Sequence, residues 1–355
     1  MKIAYNVYRL ELKHTFSIAK FSRTSTPVML IRLTYENGGD LSGAKSIIGY
    51  GEASMVPYLG EDADTALAFL KKVDWERFTY PFNFEEIVTY LDSIDKGLPA
   101  IKAAIDIALN DINGKIQGKP CFEIYGADPL KMPLSSYTIG IDSPEVIREK
   151  VTDAGGFKVL KIKLGRDNDK ELIQTIRAVS DLPLYVDANQ GWTNRKQAID
   201  TIYWLHDQGV QLIEQPMDKT DLEGNAWLTG RSPIPILADE AAQRLADLDG
   251  LKGAYHGVNI KLMKSGGMYE AHQMILKARA LGMKVLIGCM SETSCATLAG
   301  MALAPLCDWA DLDGPWLTKN NPFTTPVMSD GKQLLNDRPG LGLEGINPSL
   351  FTSGF

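Results

Sequence analysis

The stretches VLKIKLG from Val159, LPLYVDANQ from Leu182, VQLIEQP from Val210 and IPILADE from Ile234 decide the fold of this chain. Each is a short apolar run that ends in polar or charged residues and is followed by an amphipathic segment. The charged residues that end successive runs are 22 to 27 positions apart, and they are Lys163, Asp187, Glu214, Asp239 and Lys261. This spacing is that of repeated units of one strand and one helix.

Four further runs extend the pattern to eight strand candidates: YTIGID, GVNIKLMKSGG, MKVLIGCM and ADLDGP. The number and regular spacing of the units predict a parallel α/β barrel. The alternative is an open doubly wound sheet, which also places ligands at the carboxyl ends of its strands but needs a reversal of strand order. In a barrel those ends meet at one mouth, so the five charged residues are expected to converge there.

The N-terminal part of the chain has a different pattern of apolar and polar residues. VMLIRLTYENG ends in a turn signal and SIIGYGEAS resumes beyond it, which predicts an antiparallel hairpin. Between Asp62 and Ala108 apolar residues recur at three- and four-residue spacing, and Gly118 and Pro120 close this helical region. Strands followed by helices indicate a separate α+β domain.

Composition narrows the classes of partner. The 355 residues are 45% hydrophobic and 23% charged, with a net charge of −7 and no run rich in lysine and arginine. We therefore expect a small-molecule partner rather than nucleic acid or an anionic membrane surface. No apolar run is long enough to span a bilayer, and Lys2 and Arg9 interrupt the N-terminus, so we expect a cytoplasmic protein.

The four cysteines lack the spacing of a zinc site and lie in apolar surroundings, which predicts buried free thiols. They are Cys121, Cys289, Cys295 and Cys307.

Three carboxylates end three successive strands of the predicted barrel. Asp187, Glu214 and Asp239 form an all-oxygen set, which is the kind that suits Mg²⁺, with the remaining positions left to water and substrate. A single acidic residue at a strand end is most often a helix cap or a solvated charge, but three in register favour a metal site.

Lys161 and Lys163 are two residues apart on one strand, so both side chains point to the same face. They either point into the barrel or extend to solvent beyond its rim. Lys261 ends a strand across the barrel, which favours the inward orientation. A lysine acts as a base near neutral pH when a nearby cation lowers its pKa, and Mg²⁺ with a second ammonium supplies that effect. Two such lysines beside a bound acid suit racemisation or epimerisation.

In these residues the sequence resembles the enolase superfamily and its muconate lactonizing subgroup. The resemblance rests on KIK ending at Lys163, DANQGW, IEQP, LADE and NIKLMKSGG, in that order, and covers nearly the whole chain. It implies a (β/α)7β TIM-like barrel over about 126–324 and an α+β capping domain over 1–125 joined by about 325–355. It also implies Mg²⁺ on the three carboxylates, and acid/base chemistry by Lys163 and Lys261 with Lys161 assisting. Lys264 is expected to point elsewhere.

The last strand ends in DLDGP, whose Asp311 and Asp313 are similar to the pair by which dipeptide epimerases hold the substrate ammonium group. The same resemblance implies substrate contacts at Thr138, Met290 and Ser291. The segment from Phe16 to Ser25 matches the loop that closes over the substrate. Within it, Phe16 is a candidate contact, and Lys20 and Arg23 favour a glutamate side chain in the substrate.

The resemblance implies an isomerase, most like a dipeptide epimerase that inverts the α-carbon of the C-terminal residue in L-Ala-X, with glutamate as the candidate for X. That case implies murein peptide recycling, and the family likeness implies a homo-oligomer. The alternatives within the subgroup are o-succinylbenzoate synthase and N-acylamino acid racemase. A Schiff-base barrel enzyme and a non-catalytic metal-binding barrel remain as alternatives of other classes.

Overall fold

Antiparallel pairing organises the first part of the chain. The structure is a computed structural model that describes residues 1–18, 22–36, 46–56, 59–351 and 353–354. The N-terminal sheet has the strand order β14-β1-β2-β3, and its strands are β1 (Lys2–Ser17), β2 (Ser22–Glu36), β3 (Ser46–Ser54) and β14 (Ser353–Gly354). Val28 pairs with Ser54 and Glu36 with Ser46, which confirms the predicted hairpin. A strand near the C-terminus thus lies in the N-terminal sheet.

Helices follow the hairpin as predicted. They are α1 (Ala63–Leu70), α2 (Phe84–Ile94), α3 (Pro99–Gln117) and α4 (Cys121–Ile124). Gly118 ends α3 in the left-handed region, with φ of 64°. Helix α3 lies directly on β3. The packing is so close that a Cβ at Gly51 would lie 1.9 Å from the carbonyl oxygen of Ala104. Glycine therefore allows this close approach.

Eight parallel strands form the second sheet, and each pairs with the next in chain order. They are β4 (Ser136–Ile139), β5 (Val159–Lys163), β6 (Leu184–Asp187), β7 (Val210–Glu214), β8 (Ile236–Ala238), β9 (Gly257–Lys261), β10 (Lys284–Gly288) and β11 (Trp309–Asp311). A parallel bridge between Ser135 and Ala310 joins the two ends of the sheet. The sheet therefore curls into the predicted barrel, and the strand order shows no reversal.

Helical segments connect successive barrel strands. They are α5 (Pro144–Asp153), α6 (Asp169–Arg177), α7 (Arg195–Asp207), α8 (Leu222–Thr229), α9 (Leu248–Leu251), α10 (Leu262–Ser265), α11 (Met268–Ala280) and α12 (Ser294–Leu303). Short 3-10 helices occupy Trp75–Arg77, Pro129–Lys131, Leu245–Asp247, Ala304–Leu306, Gly314–Leu317 and Pro348–Leu350, and β12 (Met328–Ser329) pairs with β13 (Lys332–Gln333). The chain thus has the (β/α)7β pattern, since β11 leads into a 3-10 helix.

The barrel interior has two layers, which follow from the alternation of side chains along each strand. The apolar layer fills the lower part and consists of Val159, Tyr185, Leu212, Leu237 and Leu286. The charged layer begins two residues further along the strands and consists of Lys161, Lys163, Asp187, Glu214, Asp239, Lys261 and Asp311, all buried. The functional groups therefore stand on a packed floor at the carboxyl end of the barrel.

Among the described residues, no helix combines the length and the apolar character needed to cross a bilayer. The pairing of β14 with β1 is consistent with a capping domain that includes both ends of the chain. The domain limits at 1–125, 126–324 and 325–355 stay a prediction.

Candidate active site

Three carboxylates meet at the carboxyl ends of β6, β7 and β8. One oxygen each from Asp187, Glu214 and Asp239 lies within 4.8 Å of the others, and all three side chains are buried. Asp187 and Glu214 are the last residues of their strands and Asp239 directly follows β8. The oxygen donors and their close approach fit a divalent cation such as Mg²⁺.

Lysines surround this triad. Lys163 Nζ lies 2.6 Å from Asp187 Oδ2, and Lys261 Nζ lies 2.7 Å from Asp239 Oδ2, so the two lysines flank the triad. Lys161 Nζ lies between Glu214 Oε2 at 2.7 Å and Asp311 Oδ2 at 2.8 Å. All three side chains point into the barrel, and the alternative of lysines extending beyond the rim is wrong.

The charges of the triad are unequally compensated. Burial raises the pKa of Asp187, but the ammonium groups of Lys163 and Lys161 outweigh it and lower that pKa to about 2. For Glu214, burial and the nearby charge of Asp187 raise the pKa to about 8. A divalent cation among the three carboxylates would favour the ionised form of Glu214, which is a second reason why the residues fit Mg²⁺.

Asp311 and Asp313 both reach the cavity but differ in partners. Asp311 Oδ1 accepts a hydrogen bond from Ser136 Oγ at 2.8 Å, and its other oxygen faces Lys161. Asp313 Oδ2 accepts the backbone N–H of Thr138 at 2.6 Å. Burial and the neighbouring Asp311 raise the pKa of Asp313 to about 7, so a cation beside it would favour its ionised form.

The remaining residues predicted to contact the substrate line one cavity of about 610 Å³. Phe16 and Arg23 of the N-terminal sheet line it from above, and Thr138, Met290 and Ser291 line it from the barrel. Arg23 donates a hydrogen bond from Nη2 to Ser291 Oγ at 2.9 Å, and its guanidinium lies 5.4 Å from the centre of the Phe16 ring. Lys20 lies outside the described residues.

Two predictions from the sequence are wrong in this region. Lys264 does not point elsewhere: its ammonium group contacts the Asp239 carboxylate and donates to the carbonyl oxygens of Asp239 and Asn259. Because α10 begins directly after Lys261, its single turn brings Lys264 back over the strand end. Cys121, Cys295 and Cys307 are buried free thiols as predicted, but Cys289 is half-buried because it lines the cavity.

Several residues that position the carboxylate triad were not predicted from the sequence. Gln215 follows Glu214 with φ of 37°, and its Oε1 accepts the backbone N–H groups of Asp239 and Ala241 at 3.0 and 3.1 Å. Gln215 thereby links two members of the triad. Asn259 Nδ2 donates to Glu214 Oε1 at 2.8 Å. Asn259 could have been found from the sequence, because it precedes Lys261 by two residues and shares its face.

Further missed residues line the cavity. Asn189, Gln190, Lys219, Glu240 and Gln243 do so from the loops that follow β6, β7 and β8. Asn189 and Gln190 belong to DANQ and Glu240 to LADE, so the motifs contained a signal for three of them.

Comparison of the sequence with known proteins identifies relatives of this chain. The family model described as Enolase C-terminal domain-like matches residues 145–347. The L-Ala-D/L-Glu epimerase of Bacteroides thetaiotaomicron is 50% identical over 347 residues, covering 98% of this chain and 88% of that protein.

Two solved structures share the whole fold. The dipeptide epimerase of Enterococcus faecalis, complexed with Mg and L-Leu-L-Tyr, superposes with a TM-score of 0.87 at 32% identity, covering 97% of this chain and 99% of the other. The substrate-liganded L-Ala-D/L-Glu epimerase of Bacillus subtilis gives 0.86 at 28% identity, with coverage of 96% and 97%.

Proposed function

The chain belongs to the enolase superfamily, and on this premise we propose that it is a dipeptide epimerase, an isomerase that inverts the α-carbon of the C-terminal residue of L-Ala-X. One observation carries the proposal: Lys163 and Lys261 flank a carboxylate triad at the same cavity, 2.6 and 2.7 Å from its two outer members. Two bases on either side of one bound acid can remove a proton from one face and return it to the other. The relatives named above act on substrates of this class.

We propose that Asp187, Glu214 and Asp239 hold Mg²⁺, for which they have suitable donors and spacing. When bound, the ion supplies positive charge that stabilises the negative charge developing on the substrate carboxylate. Gln215, Asn259 and Lys264 hold two of the three carboxylates, Glu214 and Asp239, in place through the contacts described above. This preorganisation lowers the cost of rearranging the site during proton transfer.

The two lysines exchange roles with the direction of the reaction. In one direction Lys163 accepts the α-proton and Lys261 donates a proton to the opposite face, and in the other direction the roles reverse. Lys161 is buried between Glu214 and Asp311 and remains charged, because those carboxylates raise its pKa although burial opposes them. Lys161 therefore assists as a fixed cation beside the reacting carboxylate.

Asp311 and Asp313 are proposed to bind the α-ammonium group of the dipeptide. Both carboxyl groups are buried and line the same cavity as the two lysines, so the amino end and the reacting carbon are bound together. Thr138, Met290, Ser291 and Phe16 are proposed to contact the remainder of the substrate. A substrate without an amine gains nothing from the two aspartates, which separates this function from o-succinylbenzoate synthesis.

Glutamate is our proposal for the side chain of X. Arg23 lines the cavity from the N-terminal sheet, and the relative at 50% identity is an L-Ala-D/L-Glu epimerase. If X is glutamate, the proposed role is murein peptide recycling in the cytoplasm. We further propose that the protein is a homo-oligomer, as the family likeness implies.

Proton NMR of dipeptides in D₂O tests the function directly. With enzyme and Mg²⁺, the α-proton signal of the C-terminal residue should disappear while the other diastereomer forms, and EDTA should stop both. L-Ala-L-Glu should turn over faster than L-Ala-L-Leu. Equal rates for the two would contradict the glutamate preference. Exchange in N-acylamino acids but in no dipeptide would contradict the epimerase and favour the racemase alternative.

A further inference from the structure

The loop between β10 and α12, residues 289–293, forms one wall of the cavity. Cys289, Met290 and Ser291 of this loop line it, and Thr293 begins α12 as its N-cap. The loop lies where the N-terminal sheet meets the barrel. Its position therefore depends on contacts from both parts of the chain.

Glu52 of β3 reaches across this boundary to the start of α12. Its side chain is fully buried. Glu52 Oε1 accepts the backbone N–H of Thr293 at 2.8 Å, and Oε2 accepts the Thr293 hydroxyl and the backbone N–H of Ala296 at 3.1 Å. A carboxylate from another part of the molecule thus satisfies N–H groups that the first turn of a helix leaves unpaired.

Two neighbouring residues extend the same contact to the substrate-facing part of the loop. Ser54, two residues after Glu52, donates from Oγ to the carbonyl oxygen of Ser291 at 2.7 Å. Arg23 of β2 donates to the Ser291 hydroxyl at 2.9 Å. Ser291 is therefore held by the N-terminal sheet through both its backbone and its side chain.

We propose that Glu52 is a positioning residue for substrate binding, which sets the place of Met290 and Ser291 by anchoring Thr293 and the first turn of α12. The proposal rests on the proposed function, because its main readout is dipeptide turnover. In this arrangement the N-terminal sheet does more than cover the cavity, since it also fixes the barrel loop that forms one of the cavity walls. Glu52 acts through the loop and contacts no reacting atom.

The chain offers a matched control in Glu61. Its carboxyl group is also buried and also receives the first N–H groups of a helix, from Ala100 at 2.7 Å and Ile101 at 3.0 Å. That helix is α3, and neither Glu61 nor the start of α3 lines the cavity. Glu61 therefore shares the structural role of Glu52 without its connection to the substrate.

The variants Glu52→Gln and Glu61→Gln separate positioning from stability. Glutamine keeps the size of the side chain but replaces one acceptor oxygen with an NH₂ donor at each site, so both variants make the same change at the start of a helix, and their melting temperatures record its effect on stability. In Glu52→Gln alone, KM for L-Ala-L-Glu should rise on the order of tenfold while kcat falls much less. Amide hydrogen exchange at residues 289–293 should also accelerate in Glu52→Gln alone.

The outcomes are distinguishable from those of the proposed function. If wild-type protein epimerises no dipeptide, the proposed function fails, and the hydrogen exchange of residues 289–293 still tests the anchoring by Glu52. If wild-type protein is active and KM is the same in Glu52→Gln as in Glu61→Gln, measured well below both melting temperatures, the positioning role is overturned.

A milder variant covers the case in which Glu52→Gln does not fold. Thr293→Val removes the hydroxyl group that donates to Glu52 Oε2 and keeps the branched shape of the side chain. We expect KM to rise about threefold with kcat nearly unchanged, because the loop loses one of its contacts with Glu52. An unchanged KM in this variant, together with unchanged hydrogen exchange of the loop, would equally overturn the proposal.

Discussion

The apolar and charged layers of the barrel interior are built from the same strands and point to the same side. On β6, Tyr185 belongs to the apolar layer and Asp187 to the charged layer, and on β7 the corresponding pair is Leu212 and Glu214. On each of these strands the side chain that packs in the apolar layer and the side chain that forms ion pairs are two residues apart, so they point to the same side of the sheet. The backbone is the same in both layers, so the difference lies in what each side chain requires from its neighbours.

An apolar side chain is stabilised by any well-packed neighbour, whereas a buried charge requires particular partners. Leu212 is replaceable by another side chain of similar volume. Lys161 lies within 2.8 Å of two carboxylates, and loss of either would leave buried charge uncompensated. The comparison predicts that the apolar layer controls stability and the charged layer controls chemistry.

The largest expected effect follows from removing a charged-layer base. Lys261→Met keeps the length of the side chain, and Asp239 retains the ammonium group of Lys264 as a partner, so the fold should persist. Epimerisation should fall at least about 10³-fold, because no group remains to transfer the proton on that face. The loss is measured as dipeptide turnover, with circular dichroism as the test of folding.

Lys163→Met is the matched variant on the other side of the triad. Deuterium exchange in D₂O should survive in each variant for one diastereomer of the substrate, and the surviving diastereomer should differ between the two. Survival of the same diastereomer in both variants would contradict the assignment of one lysine to each face.

The next effect tests the apolar layer. Leu212→Ala should lower the free energy of unfolding by about 3 kcal/mol, because the transferred area and the remaining cavity both cost stability. Turnover per folded molecule should stay within about twofold of wild type, since Leu212 contacts no reacting group. Urea unfolding and kinetics at low temperature measure the two quantities. A tenfold loss of kcat in fully folded protein would show that the layers are not independent.

Much of this contrast could be predicted from the sequence because alternation along a strand is local. The period of two placed Lys161 and Lys163 on one face, and the strand ends indicated the triad. Lys264 escaped the same reasoning, since α10 begins at Leu262 and the strand period no longer applies. Gln215 also escaped, because its role depends on a φ of 37° that no residue pattern around it indicates.

Contacts between the two sheets were beyond sequence reasoning for a different reason. The hairpin of β2 and β3 and helix α3 were predicted from local periodicity. The contact of Glu52 with Thr293 joins residues 241 positions apart, and it depends on how the N-terminal sheet docks on the barrel. Local patterns carry no information about such docking.

A third prediction sharpens the comparison with a buried carboxyl group outside both layers. Burial raises the pKa of Glu61 to about 7, above the value of about 4.5 expected when unfolded, although two backbone N–H groups oppose the shift. A raised folded-state pKa means that the stabilising contribution is present below pH 4.5 and is lost as the pH rises towards 7. The loss amounts to at most about 3 kcal/mol.

Glu61→Gln isolates this contribution, because glutamine does not titrate. The difference in unfolding free energy between wild type and variant should fall from pH 4.5 to 7 and stay constant above, as measured by denaturant unfolding across pH. A difference that grows with pH would mean that the helix N–H groups outweigh burial. Glu61 would then behave like Asp187, whose ionised form is favoured by its partners.

The smallest expected effect concerns the metal. Mg²⁺ at a hundredfold excess over its Kd should stabilise the folded protein by about 2.7 kcal/mol, because it binds the assembled triad and not the unfolded chain. Calorimetry and thermal unfolding with Mg²⁺ or EDTA measure this gain. Glu214→Gln should reduce it, since one carboxylate is lost, whereas Leu212→Ala should keep it in full. If Mg²⁺ stabilised wild type and Glu214→Gln equally, the ion would bind elsewhere and the charged layer would not be its site.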